Sequence, residues 1–172
     1  GGVSQSTAAD SAMPYLSGVC PPGVCDHGTH VAGIISGGTG QGLSGIAPGA
    51  KLIAIQVFSY FPDDDDIYVW TSDYILGLER IYALHSTYSI AAVNMSFGGA
   101  LYSDQNNCDL QNQAVKAAID NLRSVNIPTV IASGNYGSPI SISRPACISS
   151  AISVSATDDF DRVANYSNSA DF

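Results

Sequence analysis

Hydrophobic positions along the chain fall into two kinds of pattern, short continuous runs and helically spaced stripes. The short runs are apolar and partly β-branched, which predicts strands buried within a sheet. They cover residues 52–58, 90–97, 127–133 and 151–157. Apolar residues at helical spacing predict helices over residues 72–87 and 110–125, after a shorter helix that begins at His27. Residues 1–25 and the glycine-rich stretch 37–45 predict loops.

Strands that alternate with helices are typical of a parallel sheet with helices on its faces, joined by right-handed crossovers. No internal repeat or linker divides residues 1–172, so a single α/β domain is expected. Ligands bind such sheets beyond the carboxyl ends of the strands. Two of the predicted strands end in polar, glycine-rich segments, residues 96–99 and 133–135, and these segments mark the expected site.

The helical patterns also predict which side chains are buried and which residues cap the helices. The helix after Asp26 should have an apolar side, and Ser72 is available as the N-cap of the next helix. The last predicted helix should bury one inner stripe. Its members are Ala114, Ala117, Ala118, Leu122 and Val125, and the apolar side of the first helix consists of Val31, Ile34 and Ile35.

Composition and charge exclude two classes of function. Apolar residues make up 45% of the chain and charged residues 12%, which favours a buried sheet over a disordered segment. The net charge is −9 and the six basic residues are scattered, so nucleic acid is not an expected partner. No apolar run reaches the ~18 to 20 residues that span a bilayer, so no membrane partner is expected either. The first residues lack the character of a signal peptide, and any targeting segment is expected upstream or removed.

Four cysteines suit either redox compartment at this length. Cys20 and Cys25 bracket a stiff Pro-Pro-Gly-Val turn that could hold two Cα atoms at disulfide distance, whereas Cys108 and Cys147 lie in separate loop-like stretches. The low charge, the abundant Ser, Gly and Asn and the even cysteine count favour an exported protein, secreted or periplasmic, with two disulfides. Four buried or free thiols remain the alternative.

The most informative stretch for chemistry is residues 26–33, Asp-His-Gly-Thr-His-Val-Ala-Gly. A histidine in the first turn of a helix lies at the positive end of the helix dipole, which favours the neutral imidazole that a general base requires. His27 has this place. Asp26 is expected to cap the helix, His30 to be buried in a supporting position, and His85 to lie at the surface near a helix end.

Three segments resemble, in order, motifs of the subtilisin-like serine peptidases (subtilases). Residues 26–33 resemble the histidine motif, residues 94–99 the substrate-binding strand end, and residues 132–135 the oxyanion-hole segment. Residues 45–50 and 152–157 also read like segments of this family, so the resemblance covers nearly everything from Asp26 onward. It implies a subtilisin-like fold, and the resemblance around Cys147 implies a Cys108–Cys147 disulfide.

The resemblance also implies a role for each matching residue. His27 would be the general base toward a serine hydroxyl, and Asn135 would donate its side-chain amide to the oxyanion. The substrate would be an extended peptide or protein segment bound along a backbone edge. That edge would be formed by Ser96, Phe97 and Gly98, and the cavity for the residue before the scissile bond by Gly98, Gly99, Ser133 and Gly134, with Tyr136 beside it.

Two members of the implied triad have no match in the chain. The Gly-Thr pairs at residues 28 and 38 are not followed by serine, and no apolar strand ending in Asp-Thr-Gly precedes His27; Asp10 lies in a run of Ser and Ala. The expectation is a peptidase domain truncated at both ends. The isolated chain should then be inactive and, with apolar surface bared, prone to self-association.

Rival readings come from other classes of protein. Cys20, Cys25, His27 and His30 offer zinc ligands, but their spacing leaves little chain to wrap a tetrahedron. A non-catalytic, peptide-binding pseudopeptidase is the second alternative, because triad members are missing. The acidic residues 63–66 are expected in a solvated loop. A structural calcium ion is possible there, although four consecutive carboxylates cannot all face one ion. No cofactor is expected for the chemistry.

Overall fold

The computed structural model describes residue 23, residues 25–38, residue 42 and residues 44–172. The chain divides into two compact units, residues 1–77 and 78–172, and each is described by itself. Within the described residues, no helix combines the length and the apolar character needed to cross a membrane.

The first unit opens with helix α1, His27–Ser36, which begins at the predicted residue. Asp26 occupies the N-cap position, but its side chain makes no capping hydrogen bond. The predicted apolar side of α1 is only partly covered, because no residue of the helix is buried and Ile34 is 54% exposed. Beyond the helix, the Ile34 carbonyl accepts a hydrogen bond from Ile46 N at 3.0 Å, which ties the following loop to the last turn.

A β-hairpin replaces the predicted buried strand over residues 52–58. Residues 51–57 form no regular element and are largely exposed, and only Phe58 belongs to a strand. Strand β1, Phe58–Phe61, pairs antiparallel with β2, Asp66–Val69. Helix α2 follows at Thr71–Leu84. Ser72 therefore lies inside the helix rather than at its N-cap, and its hydroxyl donates to Asp73 Oδ1 at 3.2 Å.

The second unit contains the predicted parallel sheet. Its three strands run in the order β3, β5, β7, with β3 at Val93–Met95, β5 at Thr129–Ala132 and β7 at Ile152–Val154. All pairs are parallel, and Met95 lies opposite Ile131. A separate antiparallel pair joins β4, Leu101–Tyr102, to β6, Ile142–Ser143. The α/β architecture with a parallel sheet flanked by helices is confirmed.

Two helices stand where the pattern predicts one over residues 110–125. Helix α3 covers Gln105–Gln111 and α4 covers Gln113–Ser124. The break falls at Asn112, a buried residue whose side-chain Nδ2 donates to the Cys108 carbonyl at 2.8 Å. Asn112 N also donates to this carbonyl at 3.0 Å, so the break lies in the backbone angles of Asn112, φ of −123° and ψ of 35°, which are not helical. The inner face of α4 consists of Val115, Ala118, Ile119 and Leu122, so the predicted stripe is right only at Ala118 and Leu122.

The disulfide between Cys108 and Cys147 is confirmed, with both residues buried and their Cα atoms 6.0 Å apart. It links α3 to the segment after β6 across a separation of 39 residues. In the chain-entropy account, closing a loop of that size stabilises the folded state by about 4 kcal/mol. Asp109 reinforces the same junction by accepting hydrogen bonds from Ser149 N at 3.0 Å and Ser149 Oγ at 2.6 Å. Cys20 lies outside the described residues, so its pairing with Cys25 stays a prediction.

Candidate active site

The two polar segments predicted to form a site follow neighbouring strands. Strands β3 and β5 are parallel and adjacent, so residues 96–99 and residues 133–135 leave the sheet at the same edge. The first segment continues toward β4, and Gly99 N donates to the Arg144 carbonyl at 2.9 Å. The structure therefore brings together six of the residues predicted to bind substrate, namely Ser96, Phe97, Gly98, Gly99, Ser133 and Gly134.

Ser143 lies between these two segments and is fully buried. A Cβ atom added at Gly98 would lie 2.9 Å from Ser143 Cβ, and one added at Gly134 would lie 2.2 Å from Ser143 Oγ. Ser143 N also donates to the Ser133 carbonyl at 2.9 Å. The glycines at both segments are thus explained by the close approach of β6, a role for Ser143 that the sequence pattern did not indicate.

Asn135 follows Gly134 at the turn where the chain leaves β5. Gly134 has φ of 110°, a left-handed conformation that side-chain-bearing residues rarely adopt. Ser133 is buried and its N–H donates to the Val154 carbonyl at 2.9 Å, whereas Asn135 is exposed. The Asn135 side chain has no hydrogen-bond partner among the described residues, so its amide is available to an external acceptor.

Asn168 forms hydrogen bonds to this turn from the protein interior and is the second residue that sequence reasoning missed. It is fully buried, and its Oδ1 accepts hydrogen bonds from Tyr136 N at 3.0 Å and Ser138 N at 3.2 Å. Its Nδ2 donates to the Ser133 carbonyl at 2.9 Å. A lone asparagine in a polar stretch carries no periodic signal, so only the three-dimensional structure could identify it.

Three hydroxyls complete the polar cluster around Asn168. Its carbonyl accepts from Ser133 Oγ at 2.8 Å, from Ser155 Oγ at 2.7 Å and from Ser167 Oγ at 3.3 Å. Buried polar groups that are fully paired hold a segment in a single arrangement, because each lost bond leaves an unpaired group inside the protein. The turn that carries Asn135 is therefore built on a rigid support.

His27 lies in the other unit, at the first position of α1. The residue is exposed, and its ring has no hydrogen-bond partner among the described residues. It borders an open depression together with Gly23, Asp26, Thr29 and His30. His30 is also exposed, so the prediction that it is buried is wrong, because the described residues place no packing partner over this face of α1. His85 follows the end of α2 and is exposed, as expected; its Nδ1 contacts the Tyr82 carbonyl.

The acidic residues 63–66 do not form a metal site. They belong to the hairpin between β1 and β2 and are exposed, as predicted for a solvated loop. Asp65 Oδ1 accepts from Tyr60 Oη at 2.8 Å, and Asp66 Oδ1 accepts from Ile67 N at 2.7 Å. Across the described part of the chain, no three His, Cys, Asp or Glu side chains are grouped to hold a metal ion. These carboxylates do not fit a calcium ion, and the zinc set includes Cys20, outside the described residues.

Replacing Gly134 with alanine should both strain and displace the turn. The backbone conformation disfavours any Cβ, and the new atom would lie 2.2 Å from Ser143 Oγ and 2.3 Å from Asn168 Nδ2. We expect the free energy of unfolding of the full-length protein to fall by about 2–4 kcal/mol, as measured by thermal or urea denaturation. Gly49 is the matched control, since a Cβ there meets nothing within 4 Å. Equal effects of Gly134→Ala and Gly49→Ala would contradict the close packing described here.

Comparison with known proteins identifies the relatives of this chain. A family model described as the subtilase family matches residues 21–171. The extracellular protease of Xanthomonas campestris pv. campestris is 31% identical over 176 residues, covering 95% of this chain and 28% of the relative. Subtilisin-like protease 2 of Pseudogymnoascus destructans is 32% identical over 154 residues, covering 90% of this chain and 34% of the relative.

Solved structures give the same result. The patellamide maturation protease PatA superposes with a TM-score of 0.66 at 30% sequence identity, covering 84% of this chain and 48% of that one. Sphericase superposes with a TM-score of 0.66 at 26% identity, covering 83% of this chain and 44% of that one. The chain spans about a third of the length of the curated relatives it matches and about half the length of the solved structures.

Proposed function

Since this chain belongs to the subtilase family, we propose that the whole protein is a serine endopeptidase. It hydrolyses peptide bonds through a Ser-His-Asp triad, to which this chain contributes His27. The observation that carries the proposal is the pair of segments at one edge of the sheet. Residues 96–99 and 133–135 leave adjacent parallel strands together, and the Asn135 side-chain amide there is exposed and has no hydrogen-bond partner among the described residues.

His27 acts as the general base and then as the general acid. It takes the proton from the serine hydroxyl as the serine oxygen bonds to the scissile carbonyl carbon, and it returns that proton to the leaving amine as the C–N bond breaks. Water then hydrolyses the acyl-enzyme by the same proton route. Its exposed position at the first residue of α1 supports this role, because a serine hydroxyl can reach an exposed ring.

Asn135 stabilises the negative oxygen of the tetrahedral intermediate by donating its side-chain amide hydrogen. The geometry of the turn supports this role. Gly134 lets the chain bend sharply after β5, and the buried Ser133 and Asn168 fix the backbone on which Asn135 stands. Donors fixed before the reaction need no reorganisation as charge develops, which is the source of their effect on rate.

The substrate is an extended peptide or protein segment that lies along residues 96–98. Gly98 is exposed and leads into Gly99, whose N–H already bonds the Arg144 carbonyl. A peptide that adds to this edge brings its scissile bond toward the residue 133–135 turn. The side chain before that bond enters the space lined by Gly98, Gly99, Ser133 and Gly134, with the 69% exposed Tyr136 at its margin.

The protein works outside the reducing cytosol and needs no cofactor for its chemistry. The buried Cys108–Cys147 disulfide supports secretion, since such bonds persist in oxidising compartments. Relatives named extracellular protease and minor extracellular protease Epr point the same way. The serine mechanism requires only side chains and water, and structural calcium does not enter any step.

The nucleophilic serine and the triad aspartate belong to parts of the protein other than these 172 residues, so the isolated chain does not turn over peptides. Its sheet also ends in an exposed edge, because β7 pairs with β5 alone among the described residues and exposes Ile152 and Val154 at 49% and 47%. Exposed apolar edges promote association, so the isolated chain is expected to self-associate.

The test compares the full-length protein with the 172-residue chain on a fluorogenic peptide. We expect turnover by the full-length protein that a serine-directed irreversible inhibitor abolishes, and no turnover by the isolated chain. Peptide binding by the full-length protein without turnover would instead favour a peptide-binding pseudopeptidase. Inhibitor-sensitive turnover by the isolated chain would contradict the absence of a nucleophile from it.

A further inference from the structure

Most of the hydrogen bonds of Asn168 are to one short turn, residues 133–138. The residue is 0% exposed, and both ends of its side chain are paired. Three of its bonds are to the backbone on either side of Asn135. Nδ2 reaches the Ser133 carbonyl on one side at 2.9 Å, and Oδ1 reaches Tyr136 N and Ser138 N on the other at 3.0 and 3.2 Å.

The backbone of Asn168 also forms a hydrogen bond to this turn. Its N–H donates to the Gly134 carbonyl at 3.0 Å, so four backbone groups of the turn, two before Asn135 and two after it, are bonded to one residue. None of these bonds involves the Asn135 side chain. Nδ2 also donates to Ser143 Oγ at 3.2 Å, and Ser143 is the residue packed against Gly98 and Gly134.

The hydrogen bonds of Asn168 fall into two groups. Those with Ser143 and Ser155 join the elements that meet around it, as expected of a residue that stabilises the fold. The others fix the two ends of the peptide segment from which the Asn135 side chain projects. A misplacement of about 1 Å in a catalytic group lowers the rate by on the order of 10². The rate therefore depends on how precisely the backbone positions a hydrogen-bond donor.

We propose that Asn168 is a positioning residue for the reaction, which holds Asn135 at the place where the oxyanion develops. The inference rests on the proposed function. The amide group is required at both ends, since a carboxylate keeps the acceptor toward Tyr136 N and Ser138 N but turns an oxygen toward the Ser133 carbonyl. Loss of these bonds would displace a donor whose acceptor, the oxyanion, exists only after attack, so the loss acts on the transition state rather than on substrate binding.

The experiment uses the full-length protein and counts active sites before rates are compared. Endpoint titration with an irreversible serine-directed inhibitor gives the concentration of folded sites, and kcat is expressed per titrated site. We expect Asn168→Ala and Asn168→Asp each to lower this kcat by about 10- to 100-fold, with KM changed less than about threefold. Asn165→Ala is the matched control, an exposed asparagine in the same stretch, and should leave both quantities within about twofold.

A purely structural role gives a different result. Fewer titrated sites and a lower melting temperature, with kcat per site unchanged, would overturn the positioning role while leaving the proposed function intact. No turnover and no titration of the unmodified full-length protein would instead overturn the proposed function. If the Asn168 variants yield no folded sites, Ser143→Ala applies the same test, because it removes only the hydroxyl that accepts from Nδ2. It should lower kcat per site by about threefold or more, and an unchanged value would overturn the proposal.

Discussion

Replacing His27 with alanine in the full-length protein should reduce kcat by about 10⁶-fold. The magnitude is that of subtilisin, where loss of the equivalent histidine costs about this much. The physical reason is that no other group in the proposed mechanism can take the serine proton. Single-turnover kinetics on a fluorogenic ester, in parallel with peptide turnover, would measure the loss.

The control for this prediction is His85→Ala. His85 is exposed just after α2, has the same side-chain chemistry and lies outside the predicted site. We expect kcat and KM of the His85 variant to stay within about twofold of the parent. If His27→Ala kept more than about 1% of the parent kcat, His27 would not be the general base.

Replacing Asn135 with alanine should lower kcat by about 10²–10³, equivalent to about 2.7–4 kcal/mol of transition-state stabilisation. This range also comes from subtilisin. The donor acts on a negative oxygen that exists only after attack, so KM should be nearly unchanged. Because the Asn135 side chain is exposed and unpaired among the described residues, its removal should leave the unfolding midpoint unaltered.

Asn121→Ala supplies the comparison, since Asn121 is an exposed asparagine on α4, away from the turn. It should change neither kcat nor KM. If Asn135→Ala lowered kcat and raised KM by similar factors, the side chain would also contribute to binding the substrate in the ground state. A kcat within threefold of the parent would remove Asn135 from the mechanism.

The sequence predicted elements best where local pattern and tertiary packing agree. The parallel strands β3, β5 and β7 lie inside three of the predicted runs, and α2 falls within three residues of its predicted bounds. The predicted strand over residues 52–58 was wrong because an apolar run indicates residues that favour burial but does not identify a strand with which they can pair. A strand requires backbone hydrogen bonds to a neighbouring strand. Of residues 52–58, only Phe58 is paired with another strand among the described residues, in the β1–β2 hairpin.

The break between α3 and α4 shows a different limit of pattern reading. Periodicity continues across residue 112, but the backbone of Asn112 leaves the helical conformation, with φ of −123° and ψ of 35°, which a hydrophobic stripe does not predict. Asp104 carried a usable signal for the start of α3. Its side chain accepts from Asn107 N at 2.6 Å, the standard N-cap bond, and an aspartate before polar helical residues suggests it.

The predicted substrate segments could be located from motif and topology together. The glycines of residues 98–99 and 134 follow two strands, and adjacent parallel strands must deliver their ends to one edge. The supporting residues could not be located, because Ser143 and Asn168 act through distance in space rather than through any local pattern. The roles of His27 and Asn135 stay predictions until the variants above are measured.

The bonds that shape the turn around Asn135 join residues far apart along the chain. Asn168 lies 35 residues from Ser133, 32 from Tyr136 and 30 from Ser138. During synthesis, a nascent chain that has emerged only as far as β6 contains β5 and the whole turn, yet none of the atoms of Asn168 that fix it. Asn168 also follows all three strands of the parallel sheet along the chain. We therefore expect the turn around Asn135 to acquire its final shape only after the strands of that sheet have emerged.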